Sequence, residues 1–180
     1  MPTRKARTPE HDFKLVIEGP LMDDEVIEAL FEAGCGDATF GVIDDVADGD
    51  FTRSAPSLID AIVSAIRDVE SVRPLRVVRV ENEDLLTMSE IARRLGRTRE
   101  SVRLLVEGRR GKGGFPAPVS GTGRWRYWRW SDVLAWLDDV PEAELERARV
   151  VDAVNAALEL RRRKALLPRP DRKAVQALAS

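Results

Sequence analysis

The chain holds one cysteine, one histidine and one tyrosine among 180 residues. A single Cys35 has no internal disulfide partner, which fits a reducing cytoplasm. The single His11 lies in the N-terminal tail, far from Cys35 in sequence, so no Cys/His nucleophile pair is evident. No enzyme chemistry is therefore expected. Cys35 stands between Gly34 and Gly36 at a helix end, where a small residue in a tight turn is a plainer reading than a redox-sensing thiol. Long apolar runs are missing too: none approaches the roughly 18 residues of a membrane span. Residues 1–10 are basic but lack the apolar stretch of a secretory signal. The acids Asp44, Asp45, Asp48 and Asp50 lack the spacing and closing glutamate of a calcium loop. No metal, no cofactor and no membrane partner are expected.

What is abundant is charge, 33% of all residues, and it is unevenly spread. Residues 12–84 carry 6 Lys/Arg against 18 Asp/Glu, a net of −12, whereas residues 85–137 carry 11 against 4, a net of +7. The basic part can neutralise phosphates; the acidic part would be repelled by them. Two modules with different partners are expected.

Residues 1–11 read as a disordered basic arm, with a minor-groove contact through Arg4, Lys5 and Arg7 as the alternative. Residues 12–82 form the acidic domain. A β-rich run, 13–18, is followed by a helix, 22–33, with acids at its start and Val26, Ile27, Leu30 and Phe31 on one face. Short strands are expected at 38–43 and 51–54, separated by an acidic turn, 44–50. Pro56 and Ser57 start a second helix whose apolar face is Leu58, Ile59, Ile62, Val63, Ile66 and Val69. A last strand covers 75–81. The order β-α-β-β-α-β is that of a ferredoxin-like domain. Such a domain can serve dimerisation or a protein partner, a small ligand, or scaffolding, and the order does not choose among them. Residues 82–84 are a short polar link.

Residues 85–137 carry the strongest pattern. Ser89, or Thr87 if the helix begins earlier, starts a first short helix with Ile91, Ala92 and Leu95 inward. Ala92 is small where a second helix must cross, and Gly96 supplies the turn. Thr98 caps a second helix with Val102, Leu105 and Val106 inward. This is a helix-turn-helix, which leaves Arg97, Thr98, Arg99, Ser101 and Arg103 at or near the end that enters a major groove. The loop 108–114 adds Arg109, Arg110 and Lys112, and it has no Ser or Thr after the lysine to make a nucleotide-phosphate loop. An extended strand is expected at 115–119, a turn at 120–123 and a second strand at 124–130. Thr122, Arg124 and Arg126 flank that turn and form a wing over the DNA backbone. The tryptophans interleaved with arginine read as core rather than as stacking platforms for single-stranded bases. Ser131 is expected to cap a helix, 132–137.

Residues 86–137 resemble the MerR-like winged helix-turn-helix of AlpA and excisionase-type proteins. The resemblance rests on Leu86-Thr87, Glu90-Ile91-Ala92, Leu95-Gly96, the run Phe115-Pro116-Ala117-Pro118-Val119, and Trp130 with Asp132-Val133 and Trp136-Leu137. It implies a second helix in the major groove with a wing beside it. It also departs from that family in the long acidic domain in front, which favours a multidomain bacterial regulator over a recombination accessory factor.

Residues 138–180 form a C-terminal helical extension. Its long helix, 142–166, has acids first and bases last, as the helix dipole favours. The stripe Leu145, Ala148, Val151, Val154, Ala157 and Leu158 packs on the chain's own domains or on a second copy. The whole reads as an α+β, nucleoid-associated cytoplasmic transcriptional regulator. Its expected partners are double-stranded DNA and a second copy of itself. The alternatives are an antitoxin-like protein whose acidic domain holds a protein partner, and an excisionase-type factor.

Overall fold

A computed structural model of the chain describes residues 8–81, 85–123 and 125–178. Outside them lie Arg4, Lys5 and Arg7 of the expected arm, the link 82–84, and Arg124. The protein is mixed α+β, with a four-stranded antiparallel sheet and seven helices among the described residues. It divides into two compact units, one from Met1–Glu81 with Ala153–Ser180, the other from Asn82–Asp152. The expected C-terminal extension is thus divided between both.

The acidic unit contains β1 (Glu10–Glu18), α1 (Asp24–Glu32), β2 (Ala38–Ile43), β3 (Val46–Ser54), α2 (Leu58–Ser71) and β4 (Arg76–Val80). The strands lie in the order β2-β3-β1-β4. Alternation turns Phe13, Leu15 and Ile17 of β1 inward with Phe51 of β3 and Val77 and Val80 of β4. A register shift between Val16 and Ile17 lets both of those valines face the core. Leu58, Ala61, Ile62, Ala65, Ile66 and Val69 of α2 cover that face. Ser57 caps α2 by accepting from the Asp60 N–H (3.2 Å). Phe13 and Phe51 stack at 5.4 Å, and Phe40 meets Phe51 edge-on at 5.9 Å. Gly49 makes that contact fit, since a Cβ there would lie 2.7 Å from the Phe40 ring.

Arg53 is buried at the end of this face. Its Nε and Nη2 donate to the two carboxylate oxygens of Asp37 (2.7 and 3.0 Å). Nη1 donates to Asp68 (2.6 Å) and to Ser64 Oγ (3.1 Å), and Nη2 to the Gly34 carbonyl (3.1 Å). One guanidinium therefore ties the turn after α1 to α2.

Several boundaries differ from expectation. β1 begins at Glu10, so Glu10 and His11 belong to the sheet rather than to an arm, and His11 Nε2 donates to the Ala55 carbonyl (3.2 Å). β3 begins at Val46 rather than at residue 51. The turn is only Asp44-Asp45, both left-handed (φ 50° and 61°), and it closes a tight hairpin. Ile59 and Val63, expected on the apolar face of α2, line an open groove of about 440 Å³ with Val154 and Leu158.

The long helix α6 (Glu142–Ala165) starts in the basic unit and from Ala153 onward belongs to the acidic one. Its stripe packs on the chain itself: Ala148 joins the core of the basic unit, and Val154 and Leu158 are buried in the acidic one. The helix α7 (Arg169–Leu178) buries none of its side chains.

The basic unit contains β5 (Leu85–Thr87), α3 (Met88–Arg94), α4 (Arg99–Val106), β6 (Tyr127–Arg129) and α5 (Trp130–Trp136). β5 and β6 pair antiparallel, Leu86 against Trp128. Leu86, Met88, Ile91, Ala92, Val102, Trp128, Trp130, Val133, Leu134 and Ala148 form its core. Residues 115–119 are not a strand. Pro116 and Pro118 have no N–H to donate, and only a bridge between Ser120 and Tyr127 continues the sheet. The Val119 N–H donates to the Tyr127 carbonyl (2.9 Å), and upstream of it the segment is held through side chains: Trp128 Nε1 donates to the Pro116 carbonyl (3.0 Å), and Phe115 packs on Trp136 (4.9 Å). The strand expected at 124–130 is confined to Tyr127–Arg129, because Trp130 already opens α5. Ser131 is therefore not a cap. It lies inside α5 and donates to Asp152 (3.3 Å), while Arg129 stands at the cap position and ion-pairs with the same aspartate.

Candidate nucleic-acid interface

Thr87, not Ser89, caps α3. Its Oγ1 accepts from the Glu90 N–H (3.3 Å), and the Glu90 carboxylate accepts from the Thr87 N–H (2.6 Å) and hydroxyl (2.7 Å). This reciprocal pair satisfies donors that a helix start would leave open. It also holds the Glu90 carboxyl below its usual range, the Thr87 hydroxyl contributing most.

The chain leaves α3 through Gly96, whose φ of +59° is left-handed. The Arg97 N–H returns to the Ala92 carbonyl (2.8 Å) and closes the turn. Thr98 then caps α4 by accepting from the Ser101 N–H (3.1 Å). Val102 and Leu105 are buried. The opposite side of the turn presents Arg97, Thr98 and Arg99, all exposed and consecutive. Among the described residues, neither the Arg97 nor the Arg99 guanidinium makes a hydrogen bond or ion pair. They stand at the positive end of α4, where an anion is attracted.

The other expected site residues are occupied differently. Arg103 lies between Glu100 and Glu107 and bonds both, 2.5 Å to each. Those bonds draw the Glu100 carboxyl below its usual range. Ser101 and Arg103 are half-buried. Arg109 pairs with Glu107 (3.3 Å). Lys112 pairs with Asp138 and lies over the Trp136 ring (5.3 Å). Arg126 donates to the Gly123 carbonyl (3.1 Å) and covers Trp128 (5.3 Å), so it braces the hairpin from within. Arg110 is exposed; its N–H donates to the Leu104 carbonyl (3.2 Å), and its guanidinium makes no hydrogen bond or ion pair among the described residues. Thr122 is exposed, and its carbonyl accepts from the Trp125 N–H (3.0 Å). Arg124 lies outside the described residues.

Two features were not singled out from sequence. Arg93 and Arg94 are exposed on α3, opposite Ile91 and Ala92, and Arg94 covers the Trp130 ring at 5.1 Å. The helical spacing already placed them on the outer face. Trp125 is 60% exposed, unlike Trp128 (1%) and Trp130 (9%). Trp128 and Trp130 are core, as expected, and Trp125 is not.

Elsewhere, no group of three or more metal-ligating side chains is found among the described residues. No described helix is long and apolar enough to cross a membrane. Cys35 is fully buried, and burial pushes its thiol up to about 11, with Asp68 adding to the effect. The chain matches no protein-family model, and neither a curated protein nor a solved structure is significantly similar to it.

Proposed function

We propose that the chain is a sequence-reading double-stranded DNA-binding regulator, with α4 entering the major groove. The observation that carries this is the uncommitted pair Arg97 and Arg99, on either side of the Thr98 cap, within a block of net charge +7. Arginine bonds guanine edges or phosphates in bidentate fashion. The succession β5, α3, tight turn, α4, then β6 pairing back on β5, supports reading residues 85–137 as a winged helix-turn-helix of the MerR-like, excisionase-related kind. The strand order β2-β3-β1-β4 supports a ferredoxin-like reading of residues 12–82. On this reading the protein works at the nucleoid.

The test is binding to genomic DNA fragments across a salt series, followed by selection of preferred duplexes. Affinity should fall steeply as salt rises, through counterion release. Arg99→Ala should weaken binding to the selected site by about 1–3 kcal/mol, with relaxed preference at one position. Arg103→Ala should cost far less, because that guanidinium is already held by Glu100 and Glu107. Binding that is absent, or indifferent to salt, overturns the proposal.

A further inference from the structure

The two edges of the acidic unit's sheet are treated differently. β4 is closed by side chains. The Val80 N–H donates to Asn155 Oδ1 (2.8 Å), and the Val80 carbonyl accepts from Asn155 Nδ2 (3.0 Å). The Val77 N–H donates to Glu70 (3.1 Å), and the Val77 carbonyl accepts from Arg161 (3.2 Å). Arg161 and Glu70 are themselves joined by two bonds (2.8 and 2.6 Å). An amide from α6 and an ion pair therefore occupy the place of a fifth strand.

β2 has no such cover among the described residues. The Thr52 N–H reaches the Asp37 carbonyl (3.0 Å). By alternation, Thr39, Gly41 and Ile43 also turn their backbone groups to β3, and Phe40 and Val42 turn theirs outward. The six residues of β2, Ala-Thr-Phe-Gly-Val-Ile, hold no charge and no proline, and their pairing with β3 has no bulge. Those are the devices that normally blunt an edge. Apolar surface clusters along it: Val42 is 45% exposed, Ile43 67% and Val46 45%. Phe31, 57% exposed, lies against Gly36 just before the strand.

We infer that β2 pairs antiparallel with β2 of a second copy about a two-fold axis, merging two sheets into one. The occupant is a second copy because the edge is self-complementary: Phe40 and Val42, its outward-bonding residues, lie symmetrically about Gly41, so in an identical strand each meets the other, apolar side chain against apolar side chain. At the ends of the pair Asp45 of each copy comes towards Asp37 of the other, which Arg53 already pairs. With Gly41 on the axis, Phe40 stands opposite Val42 of the other copy. The outward N–H and C=O groups of both residues then bond on each side of the axis. The surrounding acids oppose this union at long range, and salt screens them. Dimerisation should thus strengthen with salt, opposite to DNA binding, and it does not depend on the DNA reading.

The test combines sedimentation with a cross-link. In full-length protein carrying Cys35→Ser, Gly41→Cys should form an intermolecular disulfide in high yield under mild oxidation. The two Cα atoms of such a non-hydrogen-bonded pair lie about 4.5 Å apart, within disulfide reach. A Cβ at Gly41 meets nothing within 4 Å, so the substitution fits the single chain. Ala174→Cys, on exposed α7, is the control and should cross-link far less. Val42→Pro removes one outward N–H and should weaken the dimer at least about tenfold, as should Val42→Lys. If the proline variant does not fold, the lysine variant carries the comparison. A wild-type chain that stays monomeric at micromolar concentration in high salt would overturn the inference. So would a dimer unaffected by Val42→Lys, or cross-linking at Gly41 no better than at Ala174.

Discussion

Arg53 shows how much a single side chain can organise when it is buried with its partners. Its guanidinium is held charged by two carboxylates, the bonds to Asp37 raising its proton affinity most. Removing it leaves Asp37 and Asp68 facing each other without a counter-ion. Arg53→Met should cost about 3–5 kcal/mol of stability in urea titration. Arg53→Lys should recover little, because an ammonium cannot span Asp37 in bidentate fashion. The neighbouring Cys35 bears on pH. Its folded thiol is raised to about 11, against about 8.5 in an unfolded chain. A raised folded value favours the protonated form, so its contribution is complete below about 8.5 and is lost as pH climbs towards 11. Stability of wild type relative to Cys35→Ala should therefore decline across that window. Alkylation of the native thiol should be slow at pH 8 and should track unfolding.

At the scale of elements, the capping of α3 is the clearest case of local sequence deciding local structure. Thr87 and Glu90 have the spacing of a capping box, and the structure closes both halves of it. Because the Glu90 carboxyl is depressed, its contribution is present above its unfolded value, about 4.3, and is lost as pH falls through the folded value. Glu90→Gln should abolish that acid sensitivity while keeping a neutral capping box, so at neutral pH it should cost less than about 1 kcal/mol, checked by thermal melts at pH 3 to 7. The order of strands and helices in the acidic unit was equally legible, because periodicity and turn residues are local signals. What was not legible depended on partners distant in sequence or on rare backbone states. Asp44 and Asp45 read as the edge of a long acidic loop, since nothing in their type reveals a left-handed pair that lets β3 start at Val46. Residues 115–119 read as a strand by their apolar content, yet two of the five are prolines, which have no N–H to donate. Among the site residues, the exposure of Arg97 and Arg99 followed from helix spacing. The engagement of Arg103 was also readable in hindsight, from Glu100 and Glu107 at helical distance. The bonds of Lys112 to Asp138 and of Asn155 to Val80 span too many residues for any local pattern.

At the scale of the whole molecule, a net charge of −2 is the residue of two large opposite balances. Solubility and association should accordingly respond to salt in two senses at once. The acidic unit is also not one continuous stretch, since its sheet is completed by residues from 153 onward. A chain ending at residue 81 should expose β4 as well as β2 and aggregate on expression. Static light scattering on chains ending at 81 and at 178 compares the two. Equal solubility of both would show that Asn155 and Arg161 are dispensable as cover.

That dependence has a consequence in time. During synthesis β4 leaves the ribosome about 75 residues before Asn155 does, which at about 5–20 residues per second leaves its edge bare for several seconds. Through that interval both margins of the new sheet are open to the same uncharged strand on a neighbouring nascent chain. Newly made protein is therefore expected to be most vulnerable to mispairing where many copies are translated side by side.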